Sequence, residues 1–282
     1  MVFPSLVFLV WTASSTASNT IEVFSPSPHL EGDVLEISAD SVEYSVGEKA
    51  ELVAFGKKWA THILNGEPFD RYGLVAVPLG TRSGQHLLRH TMNGVTISSI
   101  TLSVEGLPPI KISLKVPSMT KKTVAALGKE NKVMKDVYAE TTPERLWSGV
   151  FRLPCDGRMT EAFGVMRDYN KGEYSWRHLG VDYGLTKGAK PDIVAAQAGR
   201  IVLVKQMEAH GGTVAIDHGW GLYTTYLHLG KIYVKKGQSV KAGEVVGEMG
   251  ASGIATGTHL HWGAKLLGTT VNPLSLLRLS LE

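Results

Sequence analysis

From about Ile21 to Val116 the chain alternates apolar and polar residues with a period of two, interrupted by turn-forming residues. Val95-Thr-Ile-Ser-Ser-Ile-Thr-Leu-Ser-Val104 and Ile110-Lys-Ile-Ser-Leu-Lys-Val116 alternate cleanly, and Leu52–Phe55, Leu74–Leu79 and Leu87–Leu88 are shorter apolar runs between Gly-, Pro- and Asn-rich turns. Side chains of a strand point to opposite faces in turn, so this pattern predicts short strands with one buried face, packed as a small antiparallel β-sandwich of immunoglobulin-like type over 20–116. The pattern then changes. Between Pro117 and Trp147, Val124, Leu127, Val133, Met134 and Val137 recur at helical intervals among Lys and Glu. A helical linker over 117–148 is expected, with a second short helical turn at Thr142-Pro143-Glu-Arg-Leu-Trp147. From Gly149 onward short β segments and glycines return, as in Asp192–Ala198, Thr213–Asp217, Leu222–Leu227, Val245–Met249 and Leu260–Leu266. The expected fold is therefore all-β, two β domains joined by a helical linker, with a compact antiparallel domain over 149–282.

Composition changes this picture little. With 43% hydrophobic and 20% charged residues the 282-residue chain is globular and long enough for two domains. A net charge of +3 with no Lys/Arg run and no basic–aromatic interleaving gives no reason to expect nucleic acid as a partner. The single cysteine, Cys155, excludes an intrachain disulfide and is expected to be a small buried hydrophobe. Met1–Trp11 is an apolar run followed by Thr12-Ala-Ser-Ser-Thr-Ala-Ser18, the layout of a signal peptide over 1–17, although no Lys or Arg precedes it. The run is too short to span a bilayer, so the expectation is an exported protein of the periplasm or cell envelope that is not integral to the membrane.

Six of the ten histidines fall after Gly149, and three short stretches gather the chemistry: His178-Leu-Gly-Val-Asp182, Tyr226-Leu-His228-Leu229 and Thr258-His259-Leu-His261-Trp262. Each alone is a weak signal. His-x-x-x-Asp arises often by chance, and a lone His in an apolar strand is more often core than ligand. His259 and His261 are two apart in a strand-like segment, which puts both imidazoles on one face and Leu260 and Trp262 on the other. A hydrolytic zinc site takes three protein ligands, commonly two His and a carboxylate, and leaves a fourth position for water. His178, Asp182 and one of the His259/His261 pair supply that set. The other imidazole and His228 remain for proton transfer or oxyanion stabilisation. The N-terminal histidines, His29, His62, His86 and His90, share no spacing with acidic residues and are expected to be surface or satisfied polar groups.

From Phe151 to Leu277 the chain resembles the lysostaphin-like (LytM-type) zinc endopeptidases of bacterial cell walls. The matching stretches include Phe163-Gly164, Arg167, His178-Leu-Gly-Val-Asp182, Thr213-Val-Ala-Ile-Asp-His-Gly219, Gly221-Leu-Tyr-Thr-Thr-Tyr-Leu-His-Leu229, Gly257-Thr-His-Leu-His-Trp262 and Val271-Asn-Pro273, all in family order. The resemblance implies His178, Asp182 and His261 as ligands of Zn2+ and His228 and His259 as catalytic histidines. It also implies a substrate-binding tyrosine near the oxyanion, for which Tyr169 and Tyr174 are both candidates. His210 stands in a loop where relatives often have Gly-Asn, and is a further candidate to line the substrate groove. The activity implied is hydrolysis of peptide cross-links in peptidoglycan. D-Ala-containing bonds are expected, because no wall-targeting module follows Leu277.

Two other readings deserve weighing. Some relatives have lost their ligands and instead switch on cell-wall amidases, but all five positions are intact here. Val234–Gly250 resembles the hairpin of lipoyl and biotinyl carriers and of a histidine phosphocarrier; the first lacks its lysine here, and the second has no use for Asp182.

Overall fold

The computed structural model describes residues 20–25, 27–40, 49–63 and 70–280. The expected signal peptide, 1–17, lies outside them. The chain divides into two compact units, 1–106 and 107–282. Among the described residues no helix is long and apolar enough to cross a membrane.

In the first unit the alternating segments form one hydrogen-bonded path of eight strands: Thr20–Val23, Val34–Asp40, Asp70–Ala76, Lys57–Ile63, Ala50–Ala54, Gly84–Met92, Val95–Glu105 and His29–Leu30. All neighbours are antiparallel except the last pair. Lys57–Ala60 pairs with the strand on one side and Thr61–Ile63 with the strand on the other, so this strand carries the sheet round its bend. Leu35, Ile37, Leu52, Trp59, Val75, Leu88 and Leu102 are almost wholly buried and make the core. His29 and His90 are buried within the unit, while His86 Nε2 bonds the carbonyl of Arg82 at 2.8 Å.

The second unit begins earlier than the alternation suggested. Lys111–Leu114, expected as the last strand of the sandwich, pairs in parallel with Met166–Tyr169, which also pairs with Tyr174–Arg177 in a three-stranded sheet. Period-two alternation identifies a strand but not its partner, so it carries the expected sandwich ten residues past the observed boundary at Gly106. Nor is 117–148 a linker. Lys121–Val137 is one helix, opened by a capping box in which Thr120 and Thr123 satisfy each other's backbone N–H. Its Met134, with Val133, Val137 and Tyr138, packs on Leu203, Met207 and Ala215. Thr142–Trp147 forms no helical turn. It is an extended strap whose backbone bonds the turn between Gly212–Asp217 and Leu222–Ile232, Trp220 N–H to Thr142 O at 2.8 Å and Leu146 N–H to His218 O at 2.9 Å. Those bonds take the place of local helical ones.

The main sheet of this unit has ten strands. Its path runs Arg158–Glu161, Gly180–Gly184, His259–Leu266, Leu222–Ile232, Gly212–Asp217, Gly199–Gln206 and Ser239–Val240, with Asp192–Val194, Val245–Met249 and Thr269–Val271 attached beside it. One face buries Val181, Tyr183, Tyr226, Leu260 and Trp262. The opposite face of the three central strands carries the histidines. Cys155 is buried and unpaired, as expected, and burial pushes its thiol pKa up.

Candidate metal centre and its histidines

The register of three strands assembles the site. Asp182 lies directly opposite His261, Gly184 opposite His259, and Leu227 opposite His261 on the far side. Directly paired residues share a face, so Asp182, His259 and His261 point the same way while Val181, Leu260 and Trp262 enter the core. His178, just before the Gly180–Gly184 strand, is buried and reaches the same point. Its Nε2 is 3.1 Å from Asp182 Oδ1 and 3.0 Å from His261 Nδ1, which is itself 2.9 Å from Asp182 Oδ1. One ligand atom from each of these three residues lies within 4.8 Å of the others.

The protons of this cluster follow from its surroundings. His178 Nδ1 faces the Ala162 carbonyl at 2.9 Å, and a carbonyl only accepts, so Nδ1 carries the hydrogen and Nε2 presents a bare lone pair. Two ring nitrogens and a carboxylate oxygen thus converge with at most one proton among them. That donor set, two imidazoles and a carboxylate, is the one a hydrolytic zinc site uses, and it fits a divalent cation.

The carboxylate is fixed from behind. Arg167 donates through Nη2 to Asp182 Oδ2 and through Nε to Glu161, and its Nη1 is 3.3 Å from the Tyr169 hydroxyl. Occupying Oδ2 leaves Oδ1 for the histidines, the outer-layer orientation that metal ligands commonly receive. Burial opposes ionisation of Asp182, but the adjoining His178 and His261 imidazoles outweigh it and hold the carboxyl far below the ordinary range. Gly180 makes the room. A Cβ there would stand 2.6 Å from His261 Nε2 and 2.5 Å from the Trp262 carbonyl oxygen.

His228 and His259 stand beside the cluster with ring centroids 4.7 Å apart, and His228 is 6.3 Å from the His261 ring. His259 Nδ1 donates to Gly257 O at 2.9 Å and its Nε2 is 3.9 Å from Asp182 Oδ2. His228 Nδ1 donates to Ser252 O at 2.8 Å. Both rings therefore keep a bare Nε2. Burial depresses the His228 pKa to about 3, reinforced by the neighbouring His259 and His261. Strand alternation would send His228 to the core side, next to Tyr226. Instead its φ is +64°, and the pairing with Gly212–Asp217 slips by one residue between Gly212 and Val214. This bulge turns the imidazole onto the site face.

The structure therefore brings together all five histidine and aspartate positions singled out in the sequence. Of the substrate-binding candidates, Tyr169 joins the network through Arg167 and stacks on Trp176 at 4.8 Å. Tyr174 packs against the apolar cluster that Tyr169 forms with Val116 and Met119. His210 does line a groove, of about 590 Å³, together with His261, Leu227, Tyr138 and Lys265. Glu161, the orienting role of Arg167, and Gly180 were missed. Arg167 stood among the matching positions, but nothing in its spacing pointed to Asp182.

A rigid β-sheet carrying two histidines and an aspartate at bonding distance, with two further histidines alongside, defines a metallohydrolase-type centre. The sequence profile of peptidase family M23 matches residues 177–273, which include all five positions and carry the M23 peptidase domain. Over 104 residues (36% of this chain, 24% of the relative) it is 36% identical to the DD-carboxypeptidase/endopeptidase Mpg of Neisseria meningitidis. Over 138 residues (49% of this chain, 32% of the relative) it is 31% identical to the murein hydrolase activator NlpD of Escherichia coli. The match thus spans about a third or less of the length of these relatives. A crystal structure assigned to peptidase M23 from Pseudomonas aeruginosa superposes with a TM-score of 0.64 at 26% identity, covering 90% of this chain and 96% of that one.

Proposed function

We propose that the second unit is a zinc endopeptidase that hydrolyses peptide cross-links of bacterial peptidoglycan at D-Ala-containing bonds, working outside the cytoplasmic membrane. The observation that carries this reading is the convergence of His178 Nε2, Asp182 Oδ1 and His261 Nδ1 with two bare imidazole nitrogens beside them. The name of the Neisseria relative, a DD-carboxypeptidase/endopeptidase, supports the bond.

In this reading His178, Asp182 and His261 hold zinc. When bound, zinc supplies Lewis acidity that polarises a scissile carbonyl and acidifies water. His228 and His259 do the proton work. Each donates Nδ1–H to a backbone carbonyl, which fixes the tautomer and leaves Nε2 to accept a proton from the attacking water. The depressed pKa of His228 keeps it neutral near pH 7, so it is competent to accept. Once protonated, the same imidazole donates to the departing amine; its neighbour steadies the oxyanion in its own protonated form, with an N–H at both ring nitrogens. Arg167 keeps Asp182 oriented throughout. The groove lined by Leu227, His261 and His210 receives the extended peptide.

The likeness to an activator of murein hydrolases favours a second reading, in which the domain binds and switches on an amidase. Digestion of purified sacculi separates the two. The peptidase reading expects the zinc-loaded protein alone to convert cross-linked muropeptide dimers into monomers by opening D-Ala bonds. No cleavage alone, with stimulation of an added amidase, overturns it in favour of the activator.

A further inference from the structure

One part of the site lies outside the residues matched to the family. Glu130, on the helix Lys121–Val137, is largely buried and spends both carboxylate oxygens on a single loop. Oε1 accepts the N–H of Ala209 at 2.9 Å; Oε2 accepts the N–H of His210 at 2.9 Å and its ring Nδ1–H at 2.7 Å. The carbonyl of His210 in turn accepts the N–H of His228 at 3.0 Å. The same loop supports the other half of His228. Ile254 N–H bonds Ala209 O at 2.7 Å, and the Cα of Gly211 lies so close to Ser252 that an added Cβ would meet its carbonyl oxygen at 2.4 Å. Ser252 supplies the carbonyl that binds His228 Nδ1. Both the backbone and the imidazole of His228 thus rest on a loop that Glu130 clamps. His228 needs such support, because a non-glycine residue at φ +64° is strained and persists only where its surroundings fix it.

We propose that Glu130 is a positioning residue for His228, acting through His210 and the Ser252 loop, so that the helix is a working part of the catalytic apparatus. The inference rests on the reading of His228 as the proton-transfer residue. Three donors converge on one carboxylate, which a neutral side chain cannot reproduce. Gln at 130 offers an acceptor to part of the set and turns an N–H toward another N–H; Ala offers nothing. Displacing a reacting group by even 1 Å costs on the order of 100-fold in rate.

The test uses the full-length zinc-loaded protein as wild type, Glu130→Gln, Glu130→Ala and Lys122→Ala, the last removing an exposed ion pair between the same helix and Glu208 of the same segment. Three quantities are read: zinc content, kcat and KM on a cross-linked muropeptide, and amide hydrogen exchange at His228 and, for reference, at His218, whose N–H bonds Leu222 O in the sheet. Glu130→Ala is expected to accelerate exchange at His228 by about tenfold or more and to lower kcat between about 10- and 100-fold, with exchange at His218, KM and zinc content unchanged. Glu130→Gln should fall between Ala and wild type, and Lys122→Ala should match wild type. Unchanged His228 exchange in Glu130→Ala overturns the proposal, as does an equal loss of protection at His218, which marks general loosening. If wild type proves unable to cut muropeptides, the peptidase reading fails, and exchange at His228 still decides whether Glu130 holds that residue.

Discussion

Gly180 is invisible in a list of catalytic side chains, yet the centre depends on its lacking one. A Cβ built there meets His261 Nε2 at 2.6 Å and Cε1 at 2.8 Å, and the Trp262 carbonyl oxygen at 2.5 Å. The ring has nowhere to go freely, since its Nδ1 is held 2.9 Å from Asp182 and 3.0 Å from His178. The backbone oxygen is fixed in the pairing of Val181 with Trp262. To reach an ordinary contact of 3.4 Å the imidazole must recede by about 0.8 Å. Overpacking of this kind costs roughly 1–3 kcal/mol. In a unit of this size each kcal/mol lowers Tm by about 2–4 °C, so Gly180→Ala should remain folded at 25 °C. A ligand shifted by that distance should weaken zinc binding by about 10- to 100-fold, the range seen when ligand orientation is disturbed. Competition with a chelator of known zinc affinity, alongside a thermal melt, measures both quantities. Wild-type zinc affinity in a folded Gly180→Ala protein would refute the argument that this glycine makes room for the ligand.

Two further expectations test other parts of the account. His218 is fully buried between Ala198 O and Thr224 Oγ1, and burial lowers its pKa from the usual 6.5 to about 4. The unfolded chain therefore takes up the proton first, so the stability it contributes is full above pH 6.5 and is lost as pH falls toward 4; Tm measured against pH should fall less steeply across that window in His218→Gln than in wild type, and parallel curves would contradict this. At His228 the positive φ makes glycine the easier replacement. His228→Gly should be more stable to urea than His228→Ala by about 1 kcal/mol, the reverse of the usual order in a strand, and equal or inverted stabilities would argue against the bulge.

How much of this the sequence carried depended on whether the controlling contacts were local. The two-residue spacing of His259 and His261 is enough to place both on one face, because strand geometry allows nothing else. Their partner Asp182 belongs to another strand, and only the register makes it face His261; the donor set of a hydrolytic zinc site grouped Asp182 with one of the pair, and the family resemblance chose His261. His228 shows the limit of pattern reasoning. Alternation assigns it to the core side, and the bulge that reverses this leaves no mark in Tyr226-Leu-His-Leu229. The helix was legible from Val124 through Val137, but its attachment was not. A helix that buries little beyond Met134 looks like a linker until Glu130 is seen bonding the Ala209–His210 loop. The misplaced boundary at Lys111–Leu114 has the same origin, a strand whose partner lies more than fifty residues away.

The central claim is a division of labour among chemically identical histidines, and one experiment addresses it directly: zinc content and muropeptide cleavage measured side by side in wild type, His261→Ala, His228→Ala and His259→Ala. The account predicts one zinc per chain and release of monomers in wild type, and neither in His261→Ala. In His228→Ala and His259→Ala it predicts zinc retained, with turnover reduced about a hundredfold or more. Loss of zinc from His228→Ala, or stoichiometric zinc in His261→Ala, would contradict it.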